Sequence, residues 1–315
     1  MNYDVIIIGG GAAGLSAALW CAELKLETLL LERGAELGGQ LLRVYNPIKN
    51  HLGIETENGR QLRDVFLRQL ENFRFTVRLK SEIARIDLKS KSVTLTVGET
   101  FRARAVIIAT GVRRRKLNVE GEEKFAGKGI IESGARDADS VKNKNVCVVG
   151  GGDAALENAL ILAKTARRVT LVHQRKNFRA RPEFIAQVGK NPKVEIFTET
   201  IVRGIFGNQE VETIELDNLA TGKKFDKNVE AILIRIGVEP NTDFFGEKLD
   251  LDERGYIKVN QNCETNVEAV YAVGDAANPV APTVSSAVGM GATAAKAIEN
   301  QLRISNYECR NLSNS

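Results

Sequence analysis

Cysteine is sparse and scattered in this chain of 315 residues: Cys21, Cys147, Cys263 and Cys309 stand far apart, with no Cys-x-x-Cys and no Cys/His ligand spacing. That pattern excludes a disulfide-stapled framework and a structural zinc site, and it predicts a reducing compartment. Long apolar runs are missing too, none approaching the roughly 18 residues of a membrane helix. An apparent strand from Tyr3 leaves no room for a secretory leader, so the expectation is a cytoplasmic protein with no membrane partner. Neither sign of charge dominates. With 44 basic and 40 acidic residues the net charge is +4, and the basic residues form no long block, which argues against a nucleic-acid partner and suits small anionic ligands. What is present is ordinary globular usage, 43% hydrophobic and 27% charged with 28 Gly and 6 Pro, and the length predicts two domains with a sizeable core.

The main signal is an internal repeat. Val5–Ile8 is an aliphatic run followed by Gly9-Gly10-Gly11-Ala12-Ala13-Gly14 and an Ala/Leu-rich helical stretch to about Leu24. Val146–Val149, Gly150-Gly151-Gly152-Asp153-Ala154-Ala155 and a helical stretch to about Thr165 repeat it without a gap, 141 residues later (150 − 9). Second strands at Thr28–Glu32 and Thr170–His173 follow, and their ends, Glu32 and His173, keep the same offset. Two βαβ units predict an α/β fold of two Rossmann-like nucleotide-binding domains with parallel sheets. Between them, residues 60–73 have helical spacing, and strands are expected at 75–79, 82–87, 92–96 and 105–109. Further strands are expected at 194–197, 211–215, 230–236 and 269–274, then a helix from Ser286 to about Leu302 and a loosely ordered tail, Asn306–Ser315. The 269–275 strand looks like a continuation of the first sheet, so the domains are read as 1–112 with 238–315, and an inserted 113–237.

Each glycine turn has a chemical rationale. Glycines at 9, 11 and 14 permit a tight turn, close approach of a pyrophosphate and close packing of helix on strand, and the helix start offers N–H groups to phosphate. Glu32, 18 residues beyond Gly14, is placed to accept hydrogen bonds from a ribose diol. The second unit has Ala155 as third small residue and His173 at the place of Glu32, followed by Gln174, Arg175, Lys176 and Arg179. A carboxylate repels a 2′-phosphate, whereas His and Arg hold it, which favours NADP(H) over NAD(H); a solvated basic strand end is the plainer alternative.

These features, with Gly38-Gly39-Gln40-Leu41, Ala109-Thr110-Gly111 before Arg115-Lys116-Leu117, Phe178-Arg179-Ala180, Ile236-Gly237 with Pro240-Asn241-Thr242, Gly274-Asp275 and Gly291–Ala295, resemble the low-molecular-weight thioredoxin reductases over residues 3 to about 303. The resemblance implies a homodimeric flavoprotein with an FAD domain made of the two chain ends and an inserted NADPH domain. It assigns FAD to Gly9, Gly11, Ala12, Ala13, Gly14, Glu32, Arg33, Gly39, Gln40, Asn50, Ala109, Thr110, Gly111, Gly274, Asp275 and Val284. It assigns the second nucleotide to Gly150, Gly152, Asp153, Ala154, His173, Gln174, Arg175, Arg179 and Gly237. Asp275, at the end of an apolar strand, also suits acceptance from a ribityl hydroxyl, or a plain helix cap.

The departures matter as much. The family carries Cys-x-x-Cys-Asp before the second βαβ unit, where this chain has Ala135-Arg136-Asp137-Ala138-Asp139. Without a thiolate there is no disulfide exchange at that segment. Gln174 stands for an Arg of the family, and Pro282-Thr283 for an Arg-Gln pair near the flavin. The leading expectation is therefore NADPH-to-flavin electron transfer onward to an acceptor that is not a disulfide, such as ferredoxin, flavodoxin, quinone or O₂, as in the thioredoxin-reductase-like ferredoxin–NADP reductases. Alternatives are a disulfide reductase using Cys263, Cys309 or a partner's dithiol, a second flavin in the NADPH site, and a silent FAD-binding sensor.

Overall fold

A computed structural model describes residues 2–245 and 248–312, with 2 and 305–312 as backbone alone. The chain divides into two compact units, Met1–Arg113 with Glu239–Ser315, and Arg114–Val238.

In unit 1, strand β1 (Asn2–Ile8) leads through the first glycine turn into helix α1 (Ala12–Glu23) and β2 (Thr28–Leu31), a βαβ in which β1 and β2 pair in parallel, Ile6 opposite Leu29. Helix α2 (Gly59–Leu70) starts at Asn58, whose side chain accepts the Gln61 N–H. Strands β3 (Thr76–Arg78), β4 (Ile83–Asp87), β5 (Ser92–Leu95) and β6 (Thr100–Ile108) complete the sheet in the order β3-β2-β1-β6-β5-β4. Strands β4 and β5 run antiparallel at the edge of this otherwise parallel sheet. Their connections are short hairpin turns, too short for a crossover.

Unit 2 repeats the plan. Its parallel strands are β7 (Ile130–Ile131), β8 (Asn145–Val149), β9 (Arg168–Val172) and β10 (Val194–Phe197), with helices α3 (Asp153–Ala163) and α4 (Pro182–Lys190). A hairpin sheet, β11 (Thr200–Phe206), β12 (Thr213–Asn218) and β13 (Lys224–Asn228), precedes β14 (Ala231–Ile234), which slots between β8 and β7. Alternate residues of β8 face opposite ways. Val146 and Val148 pack with α3, while Cys147 and Val149 pack with Val202, Ile205, Ile214 and Leu216 of the antiparallel sheet. Sequence reading misses β11, β13 and α4. In β13, Lys-Phe-Asp-Lys-Asn is exposed at alternate positions with only Phe225 apolar, so its period carries no hydrophobic contrast.

The returning segment closes unit 1: β15 (Val270–Ala272) pairs in parallel with β6, and α5 (Val284–Leu312) packs on α1. The contact is close, since a Cβ on Gly291 would meet Ala13 O at 2.4 Å and Ser16 Oγ donates to Val288 O at 2.7 Å. Helix α5 continues to Leu312, through most of the tail expected to be loose. Val5 and Ile7 point toward α1 and α5, and Ile6 and Ile8 toward Phe245, Leu249 and Ile257, so the strand is apolar on both faces, as parallel strands covered on both sides are.

Candidate functional site

At the carboxyl ends of β1, β2, β6 and β15, unit 1 holds a cleft of about 540 Å³. Gly9, Gly11, Ala12, Ala13, Glu32, Arg33, Gly39, Gln40, Ala109, Thr110, Gly111, Gly274, Asp275 and Val284 all line it. Gly14 and Asn50 do not. Gly14 serves packing: a Cβ there would lie 1.9 Å from Gly9 O, so the glycine lets α1 press on the end of β1. Asn50 is exposed in the loop before α2. The turn itself depends on Gly9, whose φ of 108° and distance of 2.3 Å from a built Cβ to Ala109 O admit no side chain. Gly11 differs. Its φ is −77°, the nearest atom to a built Cβ is Gly39 Cα at 3.9 Å, and such a methyl would enter the cleft.

Polar groups converge on the same space. Glu32 accepts the Gly10 N–H at 2.7 Å with Oε2 and the Gly34 N–H at 2.6 Å with Oε1, which fixes its carboxylate beside the turn. Asp275 sits in the short turn after β15, and burial pushes its carboxyl above the usual range. Gln40 Nε2 donates to Val112 O at 2.7 Å. The lining also includes residues not assigned to FAD from the sequence, among them Leu41, Val44, Val112, Asn241, Pro282 and Thr283. Asn241 clips to the 109–111 strand end, its Nδ2 donating to Thr110 O at 2.8 Å and its carbonyl accepting from Thr110 Oγ1 at 2.9 Å; the Pro240-Asn241-Thr242 motif is its only sequence signal.

The second turn has the same geometry. Gly150 has φ 144° and a built Cβ 2.2 Å from Arg235 O, while Gly152 has φ −100° and nothing within 4 Å. Ala155 replaces the third glycine and is fully buried, so α3 stands off its strand by the room of a methyl. Asp153 opens α3 and is held by Arg181, which donates its N–H to Oδ1 at 2.7 Å and Nε to Oδ2 at 2.9 Å. Ala154, Gln174, Arg175 and Arg179 are exposed around the turn, and Gly237 lies beyond β14, its carbonyl accepting the Arg115 N–H.

His173 departs from expectation. It is 8% exposed, its ring fills the space over Gly151 (2.3 Å from a built Cβ), stacks on Phe178 at 5.3 Å, and its Nε2 lies 3.1 Å from Asn177 O. Burial, with Arg179 nearby, lowers its pKa. In the same relation as Glu32 to Gly10, it props the glycine turn. The exposed cations of this loop are Arg175, Lys176 and Arg179.

Comparison with known proteins decides the family. The sequence profile of the pyridine nucleotide-disulphide oxidoreductases matches residues 3–291. A thioredoxin reductase of Peptoclostridium acidaminophilum is 36% identical over 97% of this chain and 98% of its own, and a 34.2 kDa protein in the rubredoxin operon of Clostridium pasteurianum is 33% identical over 96% and 97%. The crystal structure of Lactococcus lactis thioredoxin reductase (FR conformation) superposes with a TM-score of 0.84 at 30% identity, covering 95% of this chain and 98% of that one. The chain belongs to the pyridine nucleotide-disulphide oxidoreductase family.

Within that family it is a thioredoxin-reductase-like flavoprotein oxidoreductase, and its 133–139 segment is the place where the resemblance puts a dithiol. The backbone there is a well-held turn without one. Asp137 Oδ2 accepts the N–H groups of Glu132 and Ser133 at 2.8 and 3.0 Å, Gly134 N–H donates to Asn158 Oδ1 at 2.7 Å, and Thr165 Oγ1 donates to Ala138 O at 3.1 Å. Ala135 is exposed and Ala138 half-buried. The described cysteine side chains, Cys21, Cys147 and Cys263, are free and buried. Burial pushes the thiol of Cys21 up to about 12 and that of Cys263 to about 11, and raises Cys147 as well. Cys263, expected in a polar stretch, packs with the α1–α5 core and is 4% exposed, which removes it as a relocated redox thiol. The Cys309 side chain lies outside the described residues. Among the described residues, no helix is long and apolar enough to cross a membrane.

Proposed function

We propose that this chain is an FAD-dependent NAD(P)H oxidoreductase of thioredoxin-reductase type that passes electrons from flavin to an acceptor other than a disulfide of its own. The observation that carries the reading is the 133–139 turn, which keeps its hydrogen-bonded frame with Ala135 and Ala138 where a dithiol would stand, while the described cysteines are buried with raised pKa values.

The residues of the unit 1 cleft fit FAD. The N–H groups at the start of α1 face a space that a Gly11 methyl would fill, and they suit a pyrophosphate; Glu32 suits a ribose diol and Asp275 a ribityl hydroxyl. The Gly150–Gly152 turn suits the pyrophosphate of a nicotinamide dinucleotide, with Arg175 and Arg179 free to take a 2′-phosphate, which favours NADP(H). When bound, flavin supplies hydride acceptance and the release of electrons one or two at a time; the protein supplies orientation and electrostatics. The resemblance to thioredoxin reductases supports a small redox protein as acceptor, and the relative in a rubredoxin operon favours an iron protein in that role.

Two measurements test this. Nucleotides released on denaturation are expected to include one FAD per chain. Anaerobic mixing with NADPH is expected to bleach the flavin absorbance, and colour is expected to return on adding ferredoxin, flavodoxin, rubredoxin or a quinone, but not on adding oxidised thioredoxin. Fast reoxidation by thioredoxin, or a protein isolated without flavin that takes none up, overturns the proposal.

A further inference from the structure

Arg235 follows β14 at the carboxyl edge of the unit 2 sheet, between Ile234 and Ile236. Its N–H donates to Val149 O at 2.7 Å, and its own carbonyl closes on Gly150, 2.2 Å from a built Cβ there. The residue is thus wedged against the first member of the glycine turn. Its side chain crosses the strand ends: Nη1 donates to Ile234 O at 2.9 Å and Nη2 to Glu132 O, just past β7. These anchors are neutral carbonyls. The neighbouring carboxylates are engaged by Arg136, whose Nη1 lies 2.9 Å from Glu132 Oε2 and whose Nε lies 2.6 Å from Asp137 Oδ1. Burial and the nearby Arg114 bring the Arg235 pKa down to about 10, against the pull of Glu132 and Asp137, which leaves it cationic at neutral pH.

A dinucleotide on a doubly wound sheet lies along the carboxyl edge with its pyrophosphate at the helix start. The sheet order here is β10-β9-β8-β14-β7, and α3 follows β8. The basic loop 174–179 follows β9, so the phosphate-bearing adenosine half belongs on that side. The nicotinamide half then falls over β14 and β7, where Arg235 is pinned. The two redox forms of the cofactor carry the same phosphates and differ by one positive charge on the ring. From this placement, and resting on the reading of unit 2 as a nicotinamide dinucleotide site, we infer that Arg235 selects redox state: its fixed charge disfavours the oxidised, cationic ring relative to the reduced one and so speeds departure of the spent nucleotide.

The test compares dissociation constants of NADP⁺ and of the redox-inert tetrahydro analogue of NADPH on the flavin-loaded protein, by calorimetry. Arg235→Gln, which keeps a donor for Glu132 O, is expected to tighten NADP⁺ about five- to tenfold while moving the analogue less than about twofold, the scale of one like-charge contact screened about as strongly as in water. Arg235→Lys, which keeps the charge, is expected to hold the wild-type ratio. As a check that needs no variant, raising salt from about 0.05 M to about 0.5 M is expected to narrow the wild-type gap between the two ligands. Equal shifts for both ligands in Arg235→Gln, or a wild-type ratio insensitive to salt, overturn the inference and leave the dinucleotide site standing. Wild-type protein that binds neither ligand overturns the site itself, and the inference falls with it.

Discussion

Gly11 and Gly14 lie three residues apart in one turn, and the structure gives them opposite fates on substitution by alanine. At Gly14 a methyl would stand 1.9 Å from Gly9 O, so α1 and the end of β1 must part by about 1.5 Å or more to reach ordinary contact, and both partners are backbone held by the sheet and by α5. Overpacking of that kind costs about 1–3 kcal/mol, and a rigid backbone neighbour places it at the upper end. For a unit of this size that lowers the melting temperature by about 5–12 °C. At Gly11 the backbone already has φ −77°, and the nearest atom to the new methyl is 3.9 Å away. The weaker N-cap and the lower entropy of the unfolded chain nearly offset, leaving stability within about 1 kcal/mol. The methyl instead occupies the face from which N–H groups would meet the FAD pyrophosphate. Loss of one or two charge-assisted hydrogen bonds, about 2–5 kcal/mol, weakens FAD about 30- to 5000-fold. The assay melts flavin-stripped protein, because bound flavin itself raises the midpoint, and measures FAD affinity separately by fluorescence quenching. Gly11→Ala is expected to melt like wild type and bind FAD poorly; Gly14→Ala is expected to melt early. A Gly11→Ala protein with normal FAD affinity, or a Gly14→Ala protein of wild-type stability, refutes the reasoning. Gly152→Ala carries the same expectation for NADPH in unit 2, because nothing lies within 4 Å of its built Cβ.

Three further outcomes follow from perturbed groups. Asp275 has a folded-state pKa above its unfolded one, so its ionisation opposes folding and stability is lost as pH rises from about 4 through the raised value; Asp275→Asn is expected to raise the melting temperature of flavin-stripped protein at pH ~7 but not near pH ~3.5, while weakening FAD, and an unchanged midpoint at neutral pH counts against it. His173 has a lowered pKa, so the unfolded chain takes up the proton first and stability falls as pH drops below about 6.5; thermal melts of His173→Gln are expected to lose less between pH ~7.5 and ~5 than wild type, and parallel losses refute the assignment. With thiol pKa values of about 11 to 12, Cys263 and Cys21 hold roughly 0.1% thiolate or less at pH ~8, so Cys309→Ser protein is expected to leave a thiol reagent unreacted until denaturant is added; rapid native-state reaction contradicts the buried-thiol picture.

Much of the architecture was legible because apolar strands covered on both faces leave dense aliphatic runs, and because a glycine turn between such a run and an Ala/Leu helix has few other uses. Val5–Ile8 and Val146–Val149 are the clearest examples. The parts that escaped lack that contrast: β13 is polar at most positions, and α4 is a short helix just after a basic loop. In the unit 1 cleft, the residues quoted from strand ends and turns nearly all line the space. Asn50 lies outside the cleft lining, since a loop residue has no period to fix where it faces, and Asn241 was missed because its part is to clip two chain segments separated by 131 positions, a relation invisible along the sequence.

His173 shows where reasoning by residue type stops and packing takes over. In the repeat it stands where Glu32 stands, and a basic residue at that register reads naturally as a phosphate ligand. Both side chains are in fact drawn to the same neighbour, the second glycine of the turn: Glu32 through the Gly10 N–H, His173 by laying its ring over Gly151 and against Phe178. An imidazole has the flat area to fill that gap and lacks the two outward oxygens of a carboxylate, so the position that can address a ribose in unit 1 becomes a prop in unit 2. Selectivity for a 2′-phosphate would then draw on Arg175, Lys176 and Arg179, whose solvent-facing charges act in high dielectric and under salt screening. The preference for NADP(H) over NAD(H) is therefore expected to shrink steeply between low and physiological salt. A preference that survives high salt unchanged would mean that a buried donor, not this loop, reads the phosphate.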